Sequence, residues 1–180
     1  MRIAAIISAL ACLTLHAGDK PAPGAARAVF IVSGLECGSC VYMVQNQLSH
    51  TNGIAEVEVL QGVEGYARVN YDPKLISEHQ IAQAVREAPG LHGTPYIATL
   101  KLRVPGYSQK APRVKALFEQ WKPTVEMEVW DEKQGDLIVY FEELKKDPKG
   151  ALPRGWSLAE LSKNMKTLGL TFEIRTPEGF

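Results

Sequence analysis

The stretch Gly34-Leu35-Glu36-Cys37-Gly38-Ser39-Cys40 constrains this chain most, because it sets two thiols at C-x-x-C spacing between a strand-like run and a helix-like one. Before it, Val29-Phe30-Ile31-Val32 is β-branched and aromatic, as in a buried strand. After it, Val41, Val44 and Leu48 recur at helical spacing. The cysteines therefore fall on a strand-to-helix loop. Thiols at the opening of a helix can converge on one point, and the first amides and positive end of the helix favour thiolate over thiol. Such a pair suits a soft metal ion or a disulfide.

With 180 residues, 46% of them hydrophobic, the chain can bury a core as one domain or as two small ones. Its formal net charge is +0, with Lys and Arg interspersed among Asp and Glu, which argues against a nucleic-acid surface. The N-terminus stands apart. Met1-Arg2, the apolar run from Ile3 to Leu15 and the small-residue ending after His16 predict a signal peptide over residues 1–17, cleaved near Ala17. A second reading takes Ala9-Leu10-Ala11-Cys12 as a lipoprotein signal, with Cys12 lipidated and the protein tethered to a membrane. Both readings predict an exported, periplasmic product with no membrane span in the mature chain. Residues 18–27, with Pro21, Pro23 and Gly24, read as a flexible lead-in. In an oxidising compartment a C-x-x-C bridge closes too small a loop to stabilise much, so a functional role for Cys37 and Cys40 outweighs a structural one.

Further along, Asn52-Gly53 marks a turn, and Val57 and Val59 alternate with Glu56 and Glu58. Ala67, Val69 and Tyr71 alternate with Arg68 and Asn70, giving a hairpin with one wet face. Ser77 is a good N-cap with Gln80 at the capping-box position, and Ile81, Ala84, Val85 and Ala88 make an amphipathic helix that Pro89-Gly90 ends. Tyr96 to Leu102 supplies a fourth strand. Residues 28–103 thus read β-α-β-β-α-β, an α+β ferredoxin-like sandwich with two helices on one face of an antiparallel sheet.

These residues carry a family resemblance. Ala28 to Leu102 resembles the heavy-metal-associated domain of copper chaperones, metal-transporting ATPase N-termini and periplasmic mercury-binding proteins. The likeness lies in Gly34-Leu35-Glu36-Cys37-Gly38-Ser39-Cys40 and in Ala67-Arg68-Val69-Asn70-Tyr71-Asp72-Pro73, followed by Ile76-Ser77-Glu78 and Ile81. It implies Cys37 and Cys40 as metal ligands, Cu(I) as cargo with Hg(II) and Zn(II) as alternatives, and a metal donor or acceptor such as a metal-transporting ATPase as partner. No enzymatic activity and no catalytic residue are expected. Leu35 stands where the family has Met and can pack beneath the loop. Glu36 stands beside Cys37, where a carboxylate raises the cost of a thiolate and favours a more positive ion than Cu(I). His92, in Gly90-Leu91-His92-Gly93, reads either as a metal-proximal residue or as loop surface. His50 and His79 read as solvated helix residues, and Met43 and Met165 as core.

Two rival functions remain. A thiol–disulfide oxidoreductase is suggested by Cys37-Gly38-Ser39-Cys40 at a helix start with Thr94-Pro95 downstream, and opposed by the missing parallel crossover. A non-catalytic interaction module is the other.

Residues 105–180 contain no Cys and no His, so soft-metal chemistry is not expected there. Val114, Leu117, Phe118 and Trp121 form a helical stripe, and Val125, Met127 and Val129 alternate with Glu126 and Glu128. Leu137 to Phe141 is apolar without alternation, which predicts burial on both faces, with Ile138, Tyr140 and Trp130 packed against the first unit or covered by the Pro153–Trp156 loop, and a partner protein as the alternative. Ser157 caps a helix carrying Leu158, Leu161, Met165 and Leu168, and Thr171 to Arg175 reads as a last strand. Residues 104–180 thus form a degenerate second ferredoxin-like unit without cysteines, with Gln109 and Pro112 where Cys37 and Cys40 would fall. Tyr96 to Val104 must close the first sheet and open the second, through either one long shared strand or a reduced second unit.

Overall fold

β1 (Ala26–Ser33), α1 (Gly38–Ser49), β2 (Ile54–Leu60), β3 (Tyr66–Tyr71), α2 (Glu78–Glu87) and β4 (Ile97–Arg103) follow in turn in the computed structural model, which describes residues 25–62 and 64–176. The expected signal peptide, Cys12 and most of the lead-in lie outside the described residues. β1 pairs antiparallel with both β3 and β4, and β2 flanks β3, so the strands lie in the order β2-β3-β1-β4 of a ferredoxin-like unit. Local chemistry agrees with this path. Ser77 accepts from the Gln80 N–H while the Gln80 side chain accepts from the Ser77 N–H, a closed capping box that starts α2.

The second half is α3 (Tyr107–Glu119), β5 (Val125–Asp131), β6 (Asp136–Phe141), α4 (Leu158–Thr167) and β7 (Glu173–Ile174). It borrows β4 as its first strand. β6 runs along the free edge of β4, β5 flanks β6, and β7 pairs with β4 at Leu102 and Arg103, beyond the Ile97–Thr99 stretch that β1 occupies on the same edge. The shared strand is the solution to the closing-and-opening problem that the sequence posed. β7 is shorter than the expected Thr171–Arg175 because only the tail of β4 is left for it.

Along β4, Ala98, Leu100 and Leu102 are buried while Ile97, Thr99, Lys101 and Arg103 are half-buried on the opposite face. One hydrophobic cluster therefore runs through both halves, with the Phe30 and Phe141 rings 6.2 Å apart and Phe141 and Trp156 5.8 Å apart.

Two expectations are corrected. Leu137–Phe141 is not buried on both faces: Leu137, Val139 and Phe141 enter the core, whereas Tyr140 is 36% and Trp130 61% exposed. The pleat sends alternate side chains to a face that stays wet, where the Tyr140 hydroxyl donates to Glu128 and the Lys101 ammonium lies 5.6 Å from the centre of the Trp130 ring. His79 is not solvated. It is 1% exposed, because the segment 142–157 of the second half covers the polar side of α2. That side serves as a row of hydrogen-bonding groups: Gln83 accepts from the Leu144 N–H, Arg86 donates to the Phe141 carbonyl and Gln80 to the Pro153 carbonyl.

Candidate metal centre

The loop between β1 and α1 opens with Gly34 at φ 89, a left-handed turn that few other residues accept. Leu35 then turns inward and is buried against Gly65, where a Cβ would meet its side chain at 2.8 Å; Leu35 is the floor of the loop. Glu36 points into solvent, and its backbone N–H closes the turn onto the Gly34 carbonyl at 2.9 Å. Cys37 is the N-cap of α1: its backbone is extended and its sulphur accepts from the Cys40 N–H at 3.3 Å.

Cys40 lies in the first turn of α1, shielded from solvent. Both cysteines are free, and their sulphur atoms are 2.7 Å apart. On the other side of the thiols, the loop after α2 brings His92 Nε2 to 3.6 Å from the Cys37 sulphur. A tight turn shapes that loop, for a Cβ at Gly90 would meet the Thr94 carbonyl oxygen at 2.7 Å. The ligand atoms of Cys37, Cys40 and His92 all lie within 4.8 Å of one another. Glu36 lies outside this group.

Burial pushes the Cys40 thiol up, but hydrogen bonding with the Cys37 thiol, the Tyr96 hydroxyl, the Cys37 backbone and the His92 imidazole overcomes it and leaves Cys40 at about 7. Tyr96 is the residue that sequence reading missed. It is buried, and its hydroxyl, which has no hydrogen-bond partner of full geometry among the described residues, lies near enough to Cys40 to act on the thiol. Strand parity could have found it. Tyr96, Ala98, Leu100 and Leu102 share the inward face, the side on which Cys40 is also enclosed.

Two thiols and an imidazole, one thiol already held as a cap, form a soft donor set with an exposed mouth, which fits a thiophilic ion. Residues 29–90 match the heavy-metal-associated domain family. The match covers the β1–α1 loop with both cysteines and runs just past the end of α2, inside Ala28–Leu102. Among proteins similar to this chain, "Copper-transporting ATPase 2" of Rattus norvegicus is 33% identical over 64 residues, which are 36% of this chain and 4% of the rat protein. "Copper-transporting ATPase 2" of Mus musculus is 29% identical over 92 residues, 51% of this chain and 6% of the mouse protein. The chain therefore spans a small fraction of either relative. The solved structure of the N-terminal soluble domains of Bacillus subtilis CopA is 16% identical, with a TM-score of 0.38 over 84% of this chain and 94% of that one. Among the described residues, no helix is long and apolar enough to cross a membrane.

Proposed function

We propose that this protein carries a soft metal ion, Cu(I) in preference to Hg(II) or Zn(II), between Cys37 and Cys40, and passes it to another thiol-bearing protein. The observation that carries the reading is the convergence of Cys37, Cys40 and His92 within 4.8 Å at the mouth of a heavy-metal-associated domain. The naming of both mammalian relatives as copper-transporting ATPases supports copper as the cargo and a metal-transporting ATPase as donor or acceptor.

The mechanism follows from coordination number. Two thiolates leave a d¹⁰ ion with room for a further ligand, and the half-buried Cys37 is the sulphur an incoming thiol can reach. The incoming thiolate adds to the ion, Cys37 leaves first, and Cys40, enclosed by the fold, leaves last. His92, exposed beside Cys37, fills the third place while no partner is docked. Export, directed either by a signal peptide cleaved near Ala17 or by a lipoprotein signal that leaves Cys12 lipidated, would place this exchange outside the cytoplasm.

The test is the rate at which Cu(I)-loaded protein gives up its ion to a small dithiol under anaerobic conditions. A rate that rises with dithiol concentration, and rises further in His92→Ala, is the expected result. A rate independent of dithiol would contradict ligand exchange. An insulin-reduction assay on the same protein separates the oxidoreductase alternative, which requires turnover that the carrier does not.

A further inference from the structure

His79 is placed as a surface group would be in an isolated βαββαβ unit, yet both its ring nitrogens are engaged by the segment 142–157. Nε2 lies 2.6 Å from the Glu142 carbonyl oxygen, and Nδ1 receives the Trp156 N–H at 3.3 Å. The backbone amide of His79 donates in return to the Trp156 carbonyl at 3.4 Å. One protonation state satisfies this arrangement: a neutral ring with its proton on Nε2, donated to Glu142, and an open lone pair on Nδ1. The chain is pressed against that lone pair. A Cβ on Gly155, which has φ +65, would meet Nδ1 at 2.6 Å.

We propose that His79 is an acid-sensitive latch: its neutral ring pins the segment 142–157 onto α2, and a proton on Nδ1 sets two N–H donors face to face and releases the segment. The charged surroundings do not offset this. From α2, Arg86 opposes a positive ring, and Glu78 is engaged elsewhere, accepting from the Tyr71 hydroxyl and the Leu158 N–H. From the covering segment, Glu142 favours a positive ring, while Arg154 is turned onto the Pro73 and Lys74 carbonyls. β6 contributes the Phe141 ring, 5.3 Å away. Burial outweighs Glu142 and holds the imidazole below its ordinary value of 6.5.

The sign follows. With the folded value lowered, the unfolded or released chain takes up the proton first, so the latch is at full strength above 6.5 and is lost as the pH falls from there through the folded value. Release would uncover Trp156, which is 1% exposed in the closed form, and free α2, the element leading into the His92 loop.

The experiment is an NMR titration of the full, reduced, metal-free chain from about pH 8 to about pH 5, following imidazole signals and amide exchange corrected for its intrinsic rate. Protection of the Trp156 amide should begin to fall near pH 6.5, by up to about tenfold per pH unit, and level off only once the His79 ring of the closed form has itself titrated. His79→Gln keeps a side-chain N–H donor and has nothing to titrate, so it should show no such step, whereas His92→Gln should retain it. If His79 takes up its proton in the closed form while the Trp156 amide keeps its full protection, the latch is overturned by the wild-type protein alone. An identical acid step in His79→Gln would overturn it equally.

Discussion

Gly34-Leu35 and Gly106-Tyr107 stand at the same point of two copies of one frame. Both glycines are left-handed, at φ 89 and φ 68, and the residue after each is buried. The Val32 N–H donates to the Gly65 carbonyl at 2.7 Å, and the Val104 N–H to the Gly135 carbonyl at 2.9 Å. Gly65 abuts Leu35 as Gly135 abuts Tyr107. Then the copies part. In the first, Leu35, Glu36 and Cys37 remain loop and the helix begins at Gly38; in the second, the helix begins at Tyr107 itself, so Gln109 and Pro112 are already helical. The frame is common to both, and only the first carries the ligand-bearing loop between strand and helix. The site should therefore be removable without losing the fold.

The largest expected effect concerns what the copies share. Leu100, fully buried on β4, serves both, so Leu100→Ala should cost about 4 kcal/mol and lower a single calorimetric transition. Two resolved transitions, with one half unaffected, would break the shared-strand account. Next comes the frame itself. At Gly135, with φ +76, a Cβ would lie 2.2 Å from the Val104 carbonyl oxygen, and Gly135→Ala should cost about 3 kcal/mol in urea unfolding. Gly65→Ala, whose nearest contacts are 2.8 and 2.9 Å, should cost about 1–2 kcal/mol. Equal losses would mean that the two turns relax alike.

The ligand loop, by contrast, should respond chemically. Tyr96→Phe removes a hydroxyl that lowers Cys40, so the thiolate absorbance of the reduced protein should titrate above the native value of about 7. An unmoved midpoint would leave the Cys37 thiol and backbone as the agents. The smallest effect belongs to the wet face: Tyr140→Asp should cost about 1 kcal/mol in urea unfolding, because it removes the hydroxyl that donates to Glu128 and sets a carboxylate opposite Glu126.

Much of this architecture was legible in local pattern. The capping box at Ser77 and Gln80, the alternation of Ala67, Val69 and Tyr71, and the C-x-x-C after a strand are all short-range signals, and they located the first unit and its thiols. What could not be read was long-range. His79 looked solvated because nothing nearby in sequence covers it; its partners, Glu142 and Trp156, are 63 and 77 residues away. The run Leu137–Phe141 looked buried on both faces because composition does not distinguish a strand covered twice from one whose tyrosine finds a glutamate on the wet side. For Tyr96, parity with Ala98, Leu100 and Leu102 showed the inward face, but that Cys40 lies opposite it shows only once β4 lies beside β1.

The comparison between the two copies is tested most directly by counting metal. Anaerobic titration of the reduced full-length protein with Cu(I), against a chromophoric chelator, should give one tightly held equivalent per chain. In the Cys37→Ser, Cys40→Ser double variant that equivalent should vanish while the circular dichroism spectrum is kept. Undiminished binding in the double variant, or a second equivalent of similar affinity in the native chain, would contradict the assignment of the site to the first copy alone.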